Sequence, residues 1–434
     1  MRPMLFSLFT PTHRPDFLLE TFASLSRQSE RDWEWVIVPN GGAQIPEPII
    51  RHPQVRVVVA PEYVGRMGVG ALKRFACEQC HGRYLVELDH DDLLASNALA
   101  RIRQSIEETA AGFFYSDFAN FYADGRCQVY DAAYGWESYP VEVDGRPYVA
   151  MRAFATNASS LSAIFYAPNH VRVWAREAYF QAGGHDPLLP VCDDYDLICR
   201  TYLAGVRFEH IPECLYLYRM QPEGTNTFLA RNQEIQTRQQ ELSNRYIYDL
   251  IREECRRSGL PMLDLGGAHG CPEGFVSVDV EGAAVNCDIR RGLPFEEGTV
   301  GCVRAYDFLE HVPGCGSVSC RHGADGAPRC TVGMMNEIYR VLAPGGWLIT
   351  RTPSTDGRGA FQDPTHVSFW NPNSFWYYTR RAQAAYVRGI DCRFQAPRLW
   401  QAYPSPWHEE NRILYVFADL VALKGQRQPG ICEI

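Results

Sequence analysis

One acidic turn constrains the fold of the first half of this chain more than any other feature. A short apolar run, Tyr84–Leu88, has strand character and ends in the sequence Asp-His-Asp-Asp, after which Ser96 can cap a helical pattern. Asp89 and Asp91 stand two apart at the end of the strand, so their carboxylates can converge on one divalent ion. Mg²⁺ and Mn²⁺ prefer such oxygen ligands, and either ion can bind a diphosphate. The alternative is an acidic turn that only caps the helix.

Length, charge and cysteine content bound the class of protein. The chain has 434 residues, which is long for one hydrophobic core and predicts two domains. Its net charge of −9 argues against broad binding to a nucleic-acid backbone, and we find no clear nucleic-acid patch. Fifteen scattered cysteines do not form a disulfide framework and favour a reducing cytoplasm. We find no secretory signal, and the apolar run Ile413–Leu423 is too short to span a bilayer, so we expect a cytoplasmic protein without a transmembrane segment.

Strands alternate with helical patterns along the first half of the sequence. Met4–Thr10, Trp33–Val38 and Val55–Val59 are apolar runs with strand character. The alternation predicts an α/β fold with a mostly parallel sheet, in which ligands bind at the carboxyl ends of the strands. Thr10–Arg14, Asn40 and the acidic turn all lie at such ends. This coincidence favours the metal-binding interpretation of the turn.

Several short motifs of the first half occur in a recognisable order. They are Pro11-Thr12, Val38–Gly42, Gly65, Lys73-Arg74, Gly82, Leu88–Asp92, Gly183–Asp186, Asp193–Leu197 and Arg200. Together they resemble the family 2 glycosyltransferases of the GT-A fold, over roughly residues 1–225. The resemblance implies a GT-A domain at residues 1–226. It also implies an enzyme that transfers a sugar from a nucleotide diphosphate donor with inversion at the anomeric carbon.

The same resemblance implies a set of site residues. Asp89 and Asp91 fall on the motif that binds the metal ion, Mg²⁺ or Mn²⁺, and the diphosphate. Asp194 falls on the general base, which takes the acceptor's proton in a direct displacement. The residues at donor-binding positions are Thr10, Pro11, Thr12, Arg14, Asn40, Lys73 and Asp89. For Asp194 the alternative is a solvated helix N-terminus, where acidic residues favour the macrodipole.

Three positions depart from the pattern of that family. Lys73 stands where an arginine usually faces the nucleotide, and Asn40 stands where an aspartate usually reads the base. Gln221 stands where many relatives have a histidine that binds the metal. Because an amide is a poorer ligand than an imidazole, these departures leave open a metal-poor enzyme or a non-catalytic carbohydrate-binding protein.

A helical linker and a second α/β region follow. Residues 227–258 are polar, with apolar side chains at helical spacing, and predict a connecting helix. Residues 259–434 alternate strands and helices again, beginning with the strand Met262–Leu265 and a glycine turn. A glycine turn after a first strand allows a cofactor to approach the backbone. A carboxylate at the end of the next strand, here Asp279, can bind ribose hydroxyls.

The second region resembles the class I S-adenosylmethionine-dependent methyltransferases. The motifs that carry the resemblance are Leu263–Gly267, Leu309–Val312, Asn336–Gly346 and Asp363–His366. It implies a Rossmann-like domain that binds S-adenosylmethionine (SAM). The implied cofactor contacts are Gly266, Gly267, Asp279 and Asp288. His366 is the candidate general base, and a structural role in its loop is the alternative.

Two features of the second region remain open at this stage. Only nine positions separate Gly270 from Asp279, which is too few for a full helix between the first two strands. A cysteine and histidine cluster has ligand types that suit zinc, although its spacing matches no C-x₂-C knuckle. Its members are Cys315, Cys320, His322 and Cys330. A reduced surface loop is the alternative.

We therefore predict a two-domain enzyme in which an inverting glycosyltransferase is joined to a domain that binds SAM and methylates the glycan. Its partners are a nucleotide-sugar donor and an acceptor hydroxyl on a glycan, a protein or a modified base. One alternative is an active glycosyltransferase whose second domain is only a scaffold. Another is a carbohydrate-binding protein without catalytic activity.

Overall fold

The computed structural model describes residues 4–164, 167–221, 226–316, 320–323, 327–425 and 427–432. The chain divides into two compact units. The first unit comprises residues 1–132 and 136–250, and the second comprises residues 133–135 and 251–434. Within the predicted linker, residues 227–230 and 232–258 form two helices, and the division between the units falls inside the second helix, after residue 250.

The first unit contains one mixed sheet of eleven strands. They are β1 (Phe6–Thr12), β2 (Trp33–Pro39), β3 (Val55–Val57), β4 (Tyr84–Glu87), β5 (Leu93–Leu94), β6 (Phe113–Phe121), β7 (Cys127–Gln128), β8 (Ser138–Val143), β9 (Arg146–Met151), β10 (Arg172–Ala175) and β11 (Phe208–Arg219). The main order is β3-β2-β1-β4-β10-β6-β11-β5, with β7 and β9 on β6 and β8 on β9. Strands β1 to β4 are parallel, as predicted, but β10 is antiparallel to both of its neighbours.

The first unit contains several helices among the described residues. They are α1 (Leu18–Ser26), α2 (Glu47–Ile50), α3 (Glu62–Met67), α4 (Val69–Gln79), α5 (Ala98–Glu108), α6 (Ala158–Ala163), α7 (Arg176–Gln181), α8 (Asp193–Leu203), α9 (Thr227–Ala230) and α10 (Asn232–Ser258), of which α10 continues into the second unit. Leu18 and Leu25 of α1 and Leu99 and Ile102 of α5 are buried in the core. The prediction that Ser96 caps α5 was wrong, because its hydroxyl donates to Oδ1 of Asp144 at 2.5 Å.

The order of the strands places a topological switch between β1 and β4. From β1 the chain moves outward to β2 and β3, and it then returns to β4 on the other side of β1. At such a switch the loops that leave neighbouring strands diverge, and a crevice opens at the carboxyl ends. The segment after β1 and the acidic turn after β4 border this crevice.

The second unit contains a sheet of seven strands. They are β12 (Met262–Leu265), β13 (Phe275–Asp279), β14 (Val285–Asn286), β15 (Val300–Tyr306), β16 (Leu342–Pro353), β17 (Phe394–Ala402) and β18 (Tyr415–Ala422). Their order is β14-β13-β12-β15-β16-β18-β17. Strands β12 to β16 are parallel, and β18 is antiparallel to β16 and to β17.

The second sheet also has a switch, between β12 and β15. The helices described in this unit are α11 (Thr331–Val341), α12 (Gly359–Gln362), α13 (Pro372–Thr379), α14 (Arg381–Ala384) and α15 (Pro406–Glu410). Residues 266–274, which connect β12 to β13, form turns and no helix, as their short spacing predicts. Among the described residues, no helix is both long enough and apolar enough to cross a membrane.

Candidate active site

The acidic turn leaves the first sheet at its switch point. Strand β4 pairs with β1, where Phe9 lies opposite Glu87, and with β10, where Arg172 lies opposite Glu87. Glu87 ends the strand and is only 1% exposed. Asp89 and Asp91 follow in the turn and are partly exposed. The sheet thus carries one buried carboxylate and presents two accessible ones directly beyond it.

The third acid of the turn, Asp92, has a structural role. It is fully buried, and its carboxylate accepts hydrogen bonds from the Tyr216 hydroxyl and from the backbone N–H of Arg219, both at 2.7 Å. The Arg219 guanidinium also donates to the backbone oxygen of Asp91 at 2.8 Å. Strand β11 therefore fixes the turn that carries Asp89 and Asp91.

The turn concentrates negative charge. Burial raises the pKa of Asp91, and the charge of Asp89 adds to this rise although His90 opposes it. The pKa of Asp92 is raised well above its ordinary value by burial and by the charges of Asp91 and Asp89. Two accessible carboxylates that repel each other in this way form a donor set that suits a hard divalent cation. The Gln221 amide donates to Oδ2 of Asp91 at 3.3 Å.

A buried network of charges lies beside the turn. Nζ of Lys73 is 2.6 Å from Oε1 of Glu87 and 3.6 Å from Oδ2 of Asp193. Nη1 of Arg172 is 3.4 Å from Oε2 of Glu87 and 2.5 Å from Oδ2 of Asp194. Burial by itself lowers the pKa of Lys73, but Asp193 and Glu87 outweigh it and raise the pKa well above its ordinary value. Lys73 is therefore charged, and it is held by these two carboxylates.

Asp193 and Asp194 begin helix α8 and differ in accessibility. The Asp193 side chain is 4% exposed, and burial raises its pKa to about 7 although Lys73 opposes the rise. The Asp194 side chain is 28% exposed. Burial would raise its pKa, but the charges of Arg172 and Lys73 outweigh burial and lower it. Asp194 is thus an ionised, accessible carboxylate, whereas Asp193 is enclosed.

Three residues of this site were missed by the sequence analysis. Glu87 offered a signal, because it is a charged residue at the end of an apolar strand. His170 and Arg172 offered none, since they reach the turn only through the antiparallel pairing of β10 with β4. Nε2 of His170 is 3.8 Å from Glu87 and 3.9 Å from Asp89, and it has no hydrogen-bond partner within the described residues.

The predicted donor-binding residues have different surroundings. The Thr10 hydroxyl is fully buried, donates to the Leu88 backbone oxygen at 2.6 Å and accepts from Nε1 of Trp35 at 2.8 Å. Its hydroxyl is therefore engaged within the protein. It joins β1 to the acidic turn. The Lys73 ammonium is likewise occupied by its two buried ion pairs.

The remaining residues of this set lie together beyond β1 and β2. The Thr12 hydroxyl donates to the backbone oxygen of Arg14 at 2.9 Å, and the Asn40 N–H donates to the backbone oxygen of Thr12 at 2.7 Å. Pro11 precedes Thr12 at the end of β1. Nε of Arg14 is buried and has no hydrogen-bond partner in the described part of the chain. This guanidinium is available to an anionic ligand.

The second unit brings its glycine turn and Asp279 together. Gly266 has a φ of +76°, which favours glycine, and its N–H donates to the Val278 backbone oxygen at 2.9 Å. The Ala268 N–H donates to Oδ2 of Asp279 at 3.3 Å. A Cβ on Gly267 would lie 2.6 Å from Oδ2 of Asp264, so no larger residue fits there without a shift.

The other two predicted residues of this unit are already engaged. The carboxylate of Asp288 accepts from the backbone N–H of Arg290 at 3.1 Å and from its guanidinium at 3.0 Å. The hydrogen bond from that guanidinium lowers the pKa of Asp288. Nδ1 of His366 lies 3.1 Å from the Ala360 backbone oxygen, and the ring packs against His311 with 5.1 Å between centroids. If Nδ1 donates to that carbonyl, Nε2 carries the lone pair that a general base needs.

The buried network predicts a large effect of Arg172→Met on stability. This change leaves Glu87 and Asp194 without their guanidinium, and removing one partner of a buried ion pair costs about 3–5 kcal/mol. We expect denaturant unfolding to show a loss of this size. As a control, Arg126→Met removes an exposed pair with Asp124 and should leave the midpoint unchanged. Equal midpoints for the Arg172 variant and the wild type would contradict a structural role of the network.

Residues 7–150 match the family described as Glycosyl transferase family 2. The chain is 28% identical over 246 residues to the O-antigen biosynthesis protein RfbC of Myxococcus xanthus, a match that covers 54% of this chain and 17% of that protein. It is 26% identical over 230 residues to the uncharacterized protein y4gI of Sinorhizobium fredii, which covers 50% of this chain and 23% of that protein. The chain thus spans about a fifth of the length of these curated relatives.

Two solved structures are also similar to part of this chain. S. aureus TarS 1–349 in complex with UDP-GlcNAc has a TM-score of 0.43 at 15% identity, covering 58% of this chain and 73% of that one. The mannosyltransferase PcManGT from Pyrobaculum calidifontis, in complex with GDP-Man and Mn²⁺, has a TM-score of 0.39 at 15% identity, covering 57% and 70%. Because both TM-scores are low, the assignment depends on sequence. By that match, the first unit contains a glycosyl transferase family 2 domain over residues 7–150.

Proposed function

We propose that the first unit is an inverting glycosyltransferase that moves a sugar from a nucleotide diphosphate donor to a hydroxyl acceptor. The observation that carries the proposal is the pair Asp89 and Asp91 in a turn at the switch of the sheet. The accessible Asp194 is connected to the same turn, because Arg172 contacts both Asp194 and Glu87. A cation site and a general base in one crevice are what such a transfer requires. The match of residues 7–150 to the glycosyl transferase family supports this assignment.

The surroundings of the turn favour an anionic donor bound with a divalent cation. Asp89 and Asp91 would hold Mg²⁺ or Mn²⁺, which when bound supplies positive charge for the leaving diphosphate. Ligand atoms of Glu87, Asp89 and His170 lie within 4.8 Å of one another. Since Glu87 is neutralised by Lys73 and Arg172, the unpartnered Nε2 of His170 is the further ligand or donor-contacting group that this site offers.

Arg14 supplies the second unpartnered group of the crevice. Its buried Nε–H has no partner among the described residues, and burying an unpaired guanidinium N–H is unfavourable. A diphosphate oxygen would satisfy it. The Thr12 hydroxyl donates to the Arg14 backbone oxygen, and the Asn40 N–H donates to the Thr12 backbone oxygen. Thr12 and Asn40 therefore lie beside Arg14 and would contact the nucleoside.

The reaction would be a single displacement with balanced bonds. The acceptor oxygen forms a bond to the anomeric carbon while the bond from that carbon to the diphosphate oxygen breaks, which inverts the configuration. The acceptor's proton passes to the Asp194 carboxylate, and the nucleoside diphosphate leaves with the electron pair. Asp194 suits this step better than Asp193 because its side chain is 28% exposed against 4%.

The acceptor is proposed to be a saccharide. One curated relative is named as an O-antigen biosynthesis protein, and it matches over 54% of this chain. Assembly of such glycans joins sugars through hydroxyl groups, which is the acceptor chemistry that a carboxylate base serves.

The metal site predicts that Asp91→Ala abolishes the dependence of nucleotide binding on Mn²⁺. The change removes one of two accessible carboxylates but leaves Asp92, which holds the turn, in place. Titration of uridine and guanosine diphosphates with and without Mn²⁺ measures this effect by calorimetry. Asp124→Ala, an exposed carboxylate in the same unit, is the control. If the Asp91 variant binds nucleotide with an unchanged dependence on Mn²⁺, Asp91 is not a ligand of the metal ion.

The general base predicts that Asp194→Asn slows transfer with little change in donor affinity. An amide keeps the shape but cannot accept the proton, and general-base assistance contributes about 10²–10⁴-fold in rate. Because the pKa of Asp194 is lowered, its carboxylate is ionised at every pH at which an ordinary aspartate is ionised. We therefore expect that protonation of Asp194 causes no loss of rate between about pH 8 and pH 5. Wild-type turnover in the variant would shift the role to another carboxylate such as Asp193.

We propose SAM binding, and with it methylation of the glycan, as a candidate function of the second unit. The specific observation is that the turn at Gly266 and Gly267 follows β12, one of the two strands of the switch, and is hydrogen-bonded to Asp279 at the end of the neighbouring β13. Doubly wound sheets bind cofactors at this position, with a carboxylate on the ribose hydroxyls. His366 would act as the base. A unit that serves only as a scaffold is the alternative outcome.

The cofactor site predicts that Asp279→Ala weakens binding of SAM by roughly ten- to a hundred-fold. Losing charge-assisted hydrogen bonds to two hydroxyls costs about 1.5–3 kcal/mol, and each 1.4 kcal/mol is about tenfold in affinity. Calorimetry on the full chain with SAM and with S-adenosylhomocysteine measures it. Glu410→Ala, exposed in the same unit, is the control. A folded wild-type chain that gives no heat with either compound would leave the second unit as a scaffold.

A further inference from the structure

A second cluster of metal-ligating side chains lies in the segment between β15 and α11, away from the glycine turn and Asp279. It comprises Cys315, Cys320, His322 and Cys330. One ligand atom from each residue lies within 4.8 Å of all the others. Residues up to fifteen positions apart in the sequence have thus converged on one point.

Four distances within this cluster lie within about 0.6 Å of those around a tetrahedral zinc ion. Zn–S bonds of about 2.3 Å and Zn–N bonds of about 2.0–2.1 Å separate two sulfurs by about 3.8 Å and a sulfur from a nitrogen by about 3.5 Å. Sγ of Cys330 lies 3.2 Å from Sγ of Cys315 and 3.9 Å from Sγ of Cys320. Nδ1 of His322 lies 3.5 Å from Sγ of Cys315 and 3.1 Å from Sγ of Cys330.

The histidine of the cluster is oriented as a ligand. Nε2 of His322 lies 2.8 Å from the backbone oxygen of Arg388, so its N–H donates to that carbonyl. The proton on Nε2 leaves the lone pair on Nδ1, which faces the three sulfurs. A metal-binding histidine is commonly held in this way, since its second ring nitrogen donates to a carbonyl or a carboxylate.

The backbone around His322 leaves room for this arrangement and for nothing larger. A Cβ on Gly389 would lie 2.3 Å from Cδ2 of His322, and a Cβ on Gly333 would lie 2.0 Å from the backbone oxygen of His322. The imidazole and its main chain are therefore seated between helix α11, which carries Gly333, and the segment at Gly389. Asn336 of α11 ties that segment to the helix through bonds to the Gly389 oxygen at 2.6 Å and the Asp391 N–H at 3.0 Å.

We propose that Cys315, Cys320, His322 and Cys330 bind one zinc ion. Four protein ligands close the coordination shell, which is the arrangement of a structural site and not of a catalytic one. The ion would connect the segment after β15 to the N-terminus of α11 and to residues 388–392. Thiolates and an imidazole also favour zinc over magnesium or calcium, which prefer oxygen ligands.

The alternative to metal binding for these thiols is the formation of a disulfide. Sγ of Cys315 and Sγ of Cys330 are 3.2 Å apart, which is longer than the S–S bond of about 2.05 Å, and all the cysteines are free. A disulfide would use two of the three sulfurs and would leave the Cys320 sulfur and Nδ1 of His322 outside the bond. The zinc ion uses all four groups.

Metal analysis of the purified full chain tests the proposal. We expect about one zinc per chain, and Cys320→Ser should lower this to a small fraction, because loss of a ligand weakens a structural site strongly. Cys432→Ser, a half-buried cysteine of the same unit that is outside the cluster, should keep the full zinc content. Neither measurement depends on glycosyl transfer or on SAM binding.

A second measurement on the wild-type chain covers the case in which the Cys320 variant does not fold. Zinc is removed with a chelator under reducing conditions, Co²⁺ is added alone, and the absorption spectrum is recorded. We expect the intense bands of tetrahedral cobalt with thiolate ligands, saturating at about one ion per chain and reversed by Zn²⁺. A reduced chain that contains no zinc and gives only the weak spectrum of octahedral cobalt would overturn the proposal. So would a Cys315–Cys330 disulfide found by mass spectrometry of the chain purified under reducing conditions.

Discussion

The ion pairs of Glu87 are the interaction on which the first site depends. Glu87 is only 1% exposed, and a buried carboxylate is tolerated only when it is paired. Lys73 from α4 and Arg172 from β10 supply the pairing, and each continues to an acid at the start of α8. One carboxylate at the end of a strand thereby fixes two helices and a neighbouring strand. Asp194 has its position and its lowered pKa because of this network.

The same network explains why the acidic turn is left with its negative charge. The nearby cations Lys73 and Arg172 are committed to Glu87, Asp193 and Asp194. In the described part of the chain no lysine or arginine forms an ion pair with Asp89 or Asp91, and the pKa of Asp91 is raised by burial and by Asp89. A bound divalent cation would compensate this negative charge and would in turn bind a diphosphate. Within the described residues, Nε of Arg14 and Nε2 of His170 have no hydrogen-bond partner.

The two units use one architectural device for different chemistry. In each sheet a switch lies beside the loop that follows the first strand, and a carboxylate stands at the end of a neighbouring strand or just beyond it. In the first unit two accessible acids favour a cation and an anionic donor. In the second a glycine turn opposite a single acid, Asp279, favours the hydroxyls of a ribose. The cysteine and histidine cluster lies in the segment that follows β15, and a bound zinc ion would stabilise this segment.

The sequence by itself determined the strands that carry each site, because apolar runs that end in acids or glycines mark the carboxyl ends of parallel strands. It therefore placed Asp89, Asp91, Gly266 and Asp279 correctly at those ends. Only the tertiary structure decided which charges face one another. His170 and Arg172 lie about 80 residues from Glu87 and meet it through an antiparallel pairing that no local pattern predicts, and the burial of Thr10 follows from its contacts with Leu88 and Trp35. Contacts between distant segments depend on how the sheet is assembled, and that is a property of the whole chain.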